Sequence, residues 1–143
     1  MSDGFVVRTD REAVDVDLVH HWLSTESYWA AGIPRDTVAR AIANSLCFTG
    51  LLDGRQVAFA RVISDFATFA YLADVFVLDE VRGRGYATQL MDAVFVHSDL
   101  QGLRRFMLAT RDAHALYARY DFTSPAKPAS LMERYAPDIY RSA

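Results

Sequence analysis

The chain has 143 residues, of which 52% are hydrophobic, and its formal net charge at pH 7 is −3. This length fits one domain, and the apolar fraction supplies enough side chains for a hydrophobic core. The slight acidic excess excludes a general electrostatic attraction to nucleic acid or to an anionic membrane, so we expect neither as a partner. Any phosphorylated ligand must therefore be bound by local groups.

The N-terminal stretch Met1–Arg8 and the single cysteine, Cys47, bear on location. Met1–Arg8 lacks the basic and long apolar regions of a signal peptide, and no window approaches the roughly 18 apolar residues of a membrane-spanning helix. A lone cysteine cannot form an intramolecular disulfide. We therefore expect a cytoplasmic protein without a membrane segment.

The first third of the chain predicts one strand and two helices. Phe5–Arg8 is the strand, and an amphipathic helix follows behind Asp15 as its N-cap. The aromatic loop Ser27–Pro34 ends that helix. A second helix then places four apolar side chains on one face: Ala39, Ile42, Ala43 and Leu46.

The rest of the chain predicts a sheet with crossover helices. Cys47–Leu52 and Gln56–Ile63 flank a hairpin dipeptide, and Tyr71–Val77 reads as a buried central strand. A helix from Tyr86 to about His97 then leads to the strand Arg105–Ala109. After this strand we predict a short helix capped by Asp112, followed by extended structure at Phe122 and at Leu131–Tyr135. The predicted fold is a single α/β (α+β) domain over residues 1–143, in the order β-α-α-β-β-β-α-β-α-β.

One turn in this pattern suggests an anion site. Gly83 and Gly85 lie between the central strand and the helix that begins at Tyr86. The first N–H groups of a helix have no intrahelical acceptor and the helix dipole favours negative charge there. Glycines let a ligand approach the backbone, and Arg82 and Arg84 add positive charge. The expected guest is a diphosphate.

Two familiar phosphate motifs do not fit this turn. A dinucleotide fingerprint would need a third glycine or alanine near Thr88 and an acidic residue about 20 positions on, where Arg104 and Arg105 stand. A Walker A loop would need Gly-Lys-Ser/Thr, which is absent. Nucleotide triphosphate hydrolysis is therefore not expected.

The segment Arg82-Gly-Arg-Gly-Tyr-Ala87 resembles the coenzyme A motif of the GNAT acetyltransferase superfamily, Gln/Arg-x-x-Gly-x-Gly/Ala. Downstream, Leu116-Tyr-Ala-Arg-Tyr-Asp-Phe122 resembles the family's Leu-Tyr-x-x-x-Gly-Phe stretch, with Asp121 in place of glycine. Thr110 stands where many members carry an asparagine that contacts the coenzyme. The resemblance implies the GNAT fold, a single domain with a central mixed, mostly antiparallel sheet flanked by helices. It also implies a coenzyme-binding core at about residues 47–122 and acceptor-lining helices and loop at about residues 15–46.

The resemblance also implies roles for individual residues. Main-chain groups of Val75, Phe76 and Val77 would hold the pantetheine arm, and an amide near Val75 would face the thioester oxygen. The coenzyme-binding set continues through the turn: Arg82, Gly83, Arg84, Gly85, Tyr86, Ala87 and Thr88. Tyr117 matches the tyrosine that protonates the departing thiolate.

The acceptor side is less defined by the sequence. A protonated amine must lose a proton, and Asp74 on the central strand is the best candidate for the base, with Glu26 or a water chain as alternatives. An aromatic wall and an acidic group are expected to contact the acceptor, comprising Glu26, Tyr28, Trp29 and Tyr71. The histidines lack metal-ligand spacing, so no metal is expected.

These observations predict an N-acetyltransferase that moves acetyl directly from acetyl-CoA to a primary amine of a small molecule or peptide. The alternative is a non-catalytic acyl-CoA-binding or sensing module, which would keep the glycine turn without needing Tyr117 and Asp74. The sequence does not identify the amine acceptor. It does not fix the oligomeric state either, and a homodimer is one candidate.

Overall fold

A computed structural model describes residues 4–141; Met1–Asp3 and Ser142–Ala143, and with them part of the stretch read for a signal peptide, lie outside the described residues. Its strands are β1 (Phe5–Arg8), β2 (Leu46–Leu52), β3 (Arg55–Ser64), β4 (Phe69–Val77) and β5 (Arg105–Leu108). Its α-helices are α1 (Val16–Thr25), α2 (Arg35–Ala43), α3 (Tyr86–Val96) and α4 (His114–Ala118).

The strands form one five-stranded mixed sheet in the order β1-β2-β3-β4-β5. The first four are antiparallel to their neighbours, and β5 pairs parallel with β4 through the α3 crossover. This confirms the predicted α/β class, the mostly antiparallel sheet and the single-domain organisation of the described chain. No α-helix within residues 4–141 combines the length and the hydropathy needed to cross a bilayer.

Several local predictions are also confirmed. The Asp15 carboxylate accepts a hydrogen bond from the Leu18 amide at 3.1 Å and so caps α1. Asp53 and Gly54 have φ angles of +51° and +86°, as the tight turn between β2 and β3 requires.

Two predictions at the C-terminal end are wrong. Leu131–Tyr135 joins no strand of the described sheet, because no main-chain N–H between Met132 and Tyr135 is hydrogen-bonded to the described backbone. Asp112 does not cap α4, because the helix begins after Ala113 and has no side-chain cap. The Thr110 hydroxyl accepts the Ala113 amide hydrogen at 3.0 Å and so fixes the loop before the helix.

The core has two parts, one on each face of the sheet. On one face α3 and α4 bury Leu90, Met91, Val94 and Tyr117 against β2, β3 and β4. On the other face α1 and α2 bury apolar side chains against Phe59 and Phe76, among them Val19, Leu23, Val38 and Ile42. Because strand side chains alternate between faces, both helical layers are tied to the same strands. β4 is the fourth of the five strands, so the prediction of a central strand is wrong, but its residues pack into both parts of the core.

Candidate functional site

The hydrogen-bonded pairing between β4 and β5 ends halfway along β4. Their pairing covers only Phe69–Leu72 against Arg105–Leu108, whereas β4 continues to Val77. Along Ala73–Val77 the side of β4 that β5 has left has no strand partner among the described residues. An unpaired strand edge offers N–H and C=O groups to an extended ligand. We call this gap beside β4 the opening; there the main chain of Val75, Phe76 and Val77, the positions predicted to bind the donor's arm, has no strand partner.

A bulge at Asp74 shapes this opening. Asp74 has φ of +56°, and the register between β3 and β4 shifts at the same place, between the Phe59 and Arg61 pairs. Aspartate tolerates this left-handed conformation better than most residues. A bulge bends its strand and re-aims the neighbouring groups. The bulge lies two residues beyond Leu72, the last β4 residue that pairs with β5.

The Asp74 carboxylate is held by two side chains. Its Oδ2 accepts a hydrogen bond from Arg61 Nε at 2.7 Å, and its Oδ1 accepts one from the Trp29 indole at 2.9 Å. Arg61 also donates to the Ser45 hydroxyl at 3.1 Å. The side chains of Arg61 and Asp74 are 16% and 11% exposed, so the pair is largely desolvated. We call Asp74, Arg61 and Trp29 the Asp74 network; it joins β3, β4 and the loop after α1.

The glycine turn lies at the far end of β4. Gly83 and Gly85 have φ angles of +81° and +82°, and a Cβ on either would meet no atom within 4 Å. The glycines are thus needed for the left-handed backbone and not for space inside the protein. Gly85 occupies the N-cap of α3 and has no side chain with which to cap the helix. The turn therefore presents an open helix N-terminus to solvent.

The two arginines of this turn differ in their surroundings. Arg82 donates from Nε to the Val77 carbonyl at 3.0 Å and pairs through Nη1 with Asp79 at 2.8 Å. Arg84 is exposed, and no ion pair or hydrogen bond engages its side chain within residues 4–141. Arg82 therefore braces the end of β4, while the Arg84 charge is available to a ligand.

The remaining predicted donor-binding residues lie in the first turn of α3. Ala87 and Thr88 are half-buried there. Tyr86 is different, because its ring is 2% exposed and stacks on Phe5 at 4.2 Å in the core. Any contact between Tyr86 and a ligand at the turn would therefore come from its main chain.

Tyr117 lies in α4 on the side of the opening formed by β5. Its side chain is buried, and its ring meets Phe122 edge-on at 6.1 Å. Burial, and secondarily the neighbouring Tyr28, raises the pKa of the Tyr117 hydroxyl above its ordinary value. The structure gives this hydroxyl no hydrogen-bond partner in the described chain. It is therefore a protonated donor whose hydrogen bond is available to a ligand.

Asp121 supports the position of Tyr117. It takes φ of +69°, which allows the Phe122 amide to donate back to the Tyr117 carbonyl at 3.3 Å. This is the conformation for which the related pattern uses glycine. The substitution of aspartate at this position therefore preserves the helix-ending turn.

An aromatic surface borders the opening on the side of α1. Tyr28 and Trp29 are 52% and 42% exposed, and their rings meet edge-on at 5.0 Å. Trp22 connects this surface to the sheet by stacking on Phe76 at 4.4 Å. The Arg111 guanidinium lies 3.9 Å above the Tyr28 ring, a cation–π contact that bridges the loop after α1 and the loop after β5.

Two predicted acceptor residues are not brought to this surface. Glu26 ends α1 with an exposed side chain that makes no contact with the Asp74 network. Tyr71 lies in the paired part of β4, opposite Ile63 and Met107. Within residues 4–141, no group of three or more His, Cys, Asp or Glu side chains is placed to hold a metal ion.

Sequence analysis did not single out two residues of the opening, Arg61 and Arg111. Arg61 is the one charged side chain in the apolar stretch Val57–Ile63 of β3, and Asp74 is the one charged side chain in β4. Opposite charges isolated in adjacent buried strands are a signal for pairing. Arg111 carries no comparable signal, since an arginine in a loop is ordinarily solvated.

Comparisons with known proteins agree with this geometry. The Acetyltransferase (GNAT) family model matches residues 16–122. A Gibberella zeae protein assigned to the acetyltransferases, FG08082, is 32% identical over 137 residues, covering 80% of this chain and 76% of that protein.

Solved structures show the same fold. A crystal structure from Xanthomonas campestris pv. campestris, assigned to the GNAT acetyltransferases, is 64% identical with a TM-score of 0.95, covering 96% of this chain and 97% of that one. A Clostridium acetobutylicum protein, solved with acetyl-CoA as a predicted acetyltransferase, has a TM-score of 0.65 at 16% identity, covering 92% of this chain and 96% of that one. The chain therefore belongs to the GNAT family of acetyltransferases and is an acyltransferase.

Proposed function

We propose that this acyltransferase moves an acetyl group from acetyl-CoA directly to a primary amine. The observation that carries the proposal is the continuity of the opening between β4 and β5. One unpaired strand edge leads from the Asp74 bulge to the glycine turn at the N-terminus of α3. Such an edge and such a turn suit, respectively, the amide-rich arm and the pyrophosphate of coenzyme A.

In this proposal the donor lies along Val75–Val77 with its pyrophosphate at the turn. The N–H groups of residues 83–88 and the Arg84 charge hold the pyrophosphate, while Arg82 keeps the strand end in place through the Val77 carbonyl. A main-chain N–H near Val75 donates to the thioester oxygen and stabilises the negative charge that develops there. The bulge supplies the change of direction that aims this amide.

The chemical step needs one acid and one base. The neutral amine nitrogen attacks the thioester carbonyl carbon, the C–S bond breaks, and the sulfur leaves as a thiolate. The Tyr117 hydroxyl, which burial keeps protonated, donates its proton to that sulfur. The amine proton passes to Asp74 or to water beside it. Products are the N-acetylated amine and free coenzyme A, with no covalent enzyme intermediate.

Asp74 has capacity left for the acceptor. Each carboxylate oxygen can accept about two hydrogen bonds, and each has one partner in the Asp74 network. The acceptor's ammonium group would then bind next to Asp74, against the wall formed by Tyr28 and Trp29. Because Trp29 donates to Asp74, the wall and the carboxylate form one rigid unit.

Replacing Gly85 by alanine tests the donor site. A side chain at φ of +82° costs about 1–2 kcal/mol, so the turn is expected to change conformation and lose alignment of its N–H groups. We expect calorimetry to show acetyl-CoA binding weakened about tenfold, equivalent to about 1.4 kcal/mol. Gly102→Ala is the matched control, since its φ is +72° and it lies in the connection after α3, beyond the end of that helix opposite the turn. Equal affinities of the two variants would contradict the assignment.

A further inference from the structure

Arg111 lies across the opening from Asp74. The last residues of β4 and β5 that pair with each other are Leu72 and Leu108. Asp74 follows two residues after Leu72, and Arg111 follows three residues after Leu108. Because the two chains separate beyond this last pair, one residue borders the opening from the β4 side and the other from the β5 side.

The aromatic wall connects these two charged groups. The Trp29 indole donates to the Asp74 carboxylate at 2.9 Å, and the rings of Trp29 and Tyr28 meet edge-on at 5.0 Å. The central carbon of the Arg111 guanidinium lies 3.9 Å from the centre of the Tyr28 ring. The contacts therefore run from a carboxylate through two exposed rings to a guanidinium.

The contact with Tyr28 holds Arg111 without using its N–H groups. At 3.9 Å the planar guanidinium meets the ring through its face, and its N–H groups point outward in the guanidinium plane. No carboxylate or carbonyl oxygen accepts a hydrogen bond from them in the part of the chain that the structure describes. Ordering an arginine costs side-chain entropy, so a guanidinium already held in place loses less when it binds an anion.

The other arginines along the opening are committed elsewhere. Arg61 is ion-paired with Asp74, and Arg82 is ion-paired beside the glycine turn. Arg84 lies at the turn itself, where we place the pyrophosphate. Among the described residues that border the acceptor side of the opening, Arg111 is therefore the cation without a counter-ion.

We infer that the amine acceptor carries a carboxylate, with its ammonium group beside Asp74 and its carboxylate against the N–H groups of Arg111. This inference rests on the proposed acetyl transfer, because it names the class of acceptor for the same site. Two N–H groups of one guanidinium match the two oxygens of a carboxylate. The reverse orientation would bring two carboxylates together at Asp74, so the charges also fix which end of the acceptor faces β4.

Tyr28 relates this acceptor position to the chemical step. After burial, the proximity of Tyr28 is the second cause of the raised pKa of the Tyr117 hydroxyl, so the two phenols lie near each other. An acceptor held along the Tyr28 ring therefore lies beside the proposed proton donor. Its amine is then placed between the proposed base on β4 and the proposed acid on α4.

Comparing each amino carboxylate with its own carboxamide tests the inference. The carboxamide keeps the amine and the shape of the molecule but has no negative charge. The panel comprises the common α-amino acids, β-alanine, γ-aminobutyrate and glycine-containing dipeptides, and calorimetry in the presence of coenzyme A measures their binding. We expect native protein to bind at least one carboxylate about tenfold more tightly than its carboxamide. Arg111→Gln should remove this preference by weakening the binding of the carboxylate alone.

Two further variants serve as controls. Arg111→Lys keeps the charge but loses the planar fork, so its preference should lie between those of native protein and Arg111→Gln. Arg8→Gln makes the same chemical change at a surface ion pair with Asp10 on β1, at the other edge of the sheet, and should keep the native preference. The affinity of Arg111→Gln for acetyl-CoA should stay native.

Several results would overturn the inference. One is equal affinity for carboxylate and carboxamide across the whole panel, and another is a preference that survives in Arg111→Gln. Equal weakening of both members of a pair would show that Arg111 only holds Tyr28 in place, and weaker acetyl-CoA binding would assign Arg111 to the donor.

Thiol release with the same pairs tests the proposed acetyl transfer separately. Acetylation without a carboxylate preference would support the transfer and contradict the inference about the acceptor. A carboxylate preference in binding without any acetylation would support the Arg111 site and contradict the transfer.

Discussion

Replacing Tyr117 by phenylalanine is expected to lower kcat by about 10²–10⁴-fold, the range that general acid catalysis contributes. The ring still fills its place against Phe122, so the KM for acetyl-CoA should change little. Only the proton donor for the departing thiolate is lost. Steady-state thiol release with an accepted amine measures both constants.

The pH dependence sharpens this prediction. Burial raises the pKa of Tyr117 above its ordinary value of about 10, so its acid form persists to higher pH than in an unfolded chain. The native kcat should therefore show no decline from ionisation of Tyr117 below pH of about 10.

Tyr120→Phe is the matched control for Tyr117→Phe. The Tyr120 hydroxyl donates to Asp92 at 2.7 Å, so its loss should cost stability of about 1 kcal/mol while kcat stays native. Equal kcat values for native protein and Tyr117→Phe would remove Tyr117 from the mechanism.

Replacing Asp74 by asparagine is expected to reduce both stability and activity. Asparagine keeps the backbone at φ of +56°, so the bulge is retained. It leaves the Arg61 guanidinium without its counter-ion in a largely desolvated position, which costs about 3–5 kcal/mol of unfolding free energy. Loss of the proton acceptor should lower kcat/KM by about 10²-fold or more.

The double variant Arg61→Met/Asp74→Asn separates these two effects. Because it also removes the unpaired cation, its unfolding free energy should return to within about 1 kcal/mol of native. Its kcat/KM should stay as low as that of Asp74→Asn. Native kcat/KM in the double variant would show that Asp74 has a structural role alone. Denaturant unfolding and initial-rate kinetics supply the two readouts.

Much of the fold is predictable from the sequence because its signals are local. Periodicity along α1 and α3, the Asp53-Gly54 turn and the apolar stretch of β4 each depend on residues close in sequence. From the sequence we interpret the two glycines of the turn as letting a ligand approach the backbone, and the structure adds that both Gly83 and Gly85 have a left-handed backbone. Each of these features is determined by residues close together in sequence, so it does not depend on contacts with distant parts of the chain.

The features that sequence analysis missed depend on distant contacts. The pairing of Arg61 with Asp74 and Trp29 joins three separate elements, and no spacing rule relates them. The start of α4 depends on the loop after β5, where the Thr110 hydroxyl accepts the Ala113 amide hydrogen and the helix begins at His114 without a side-chain cap. The sequence of Leu131–Tyr135 has strand character, but a strand also needs a neighbour, which the described chain does not supply.

The most direct test of the account measures free thiol release from acetyl-CoA across a panel of primary amines, with mass spectrometry of the products. The panel should span small amines, amino acids, antibiotics and peptides with free N-termini or lysines. We expect native protein to show amine-dependent thiol release, matched one for one by N-acetylated product, and Tyr117→Phe to show a strong loss of that release. Tight acetyl-CoA binding without turnover on any amine would contradict it and would favour an acyl-CoA-binding module.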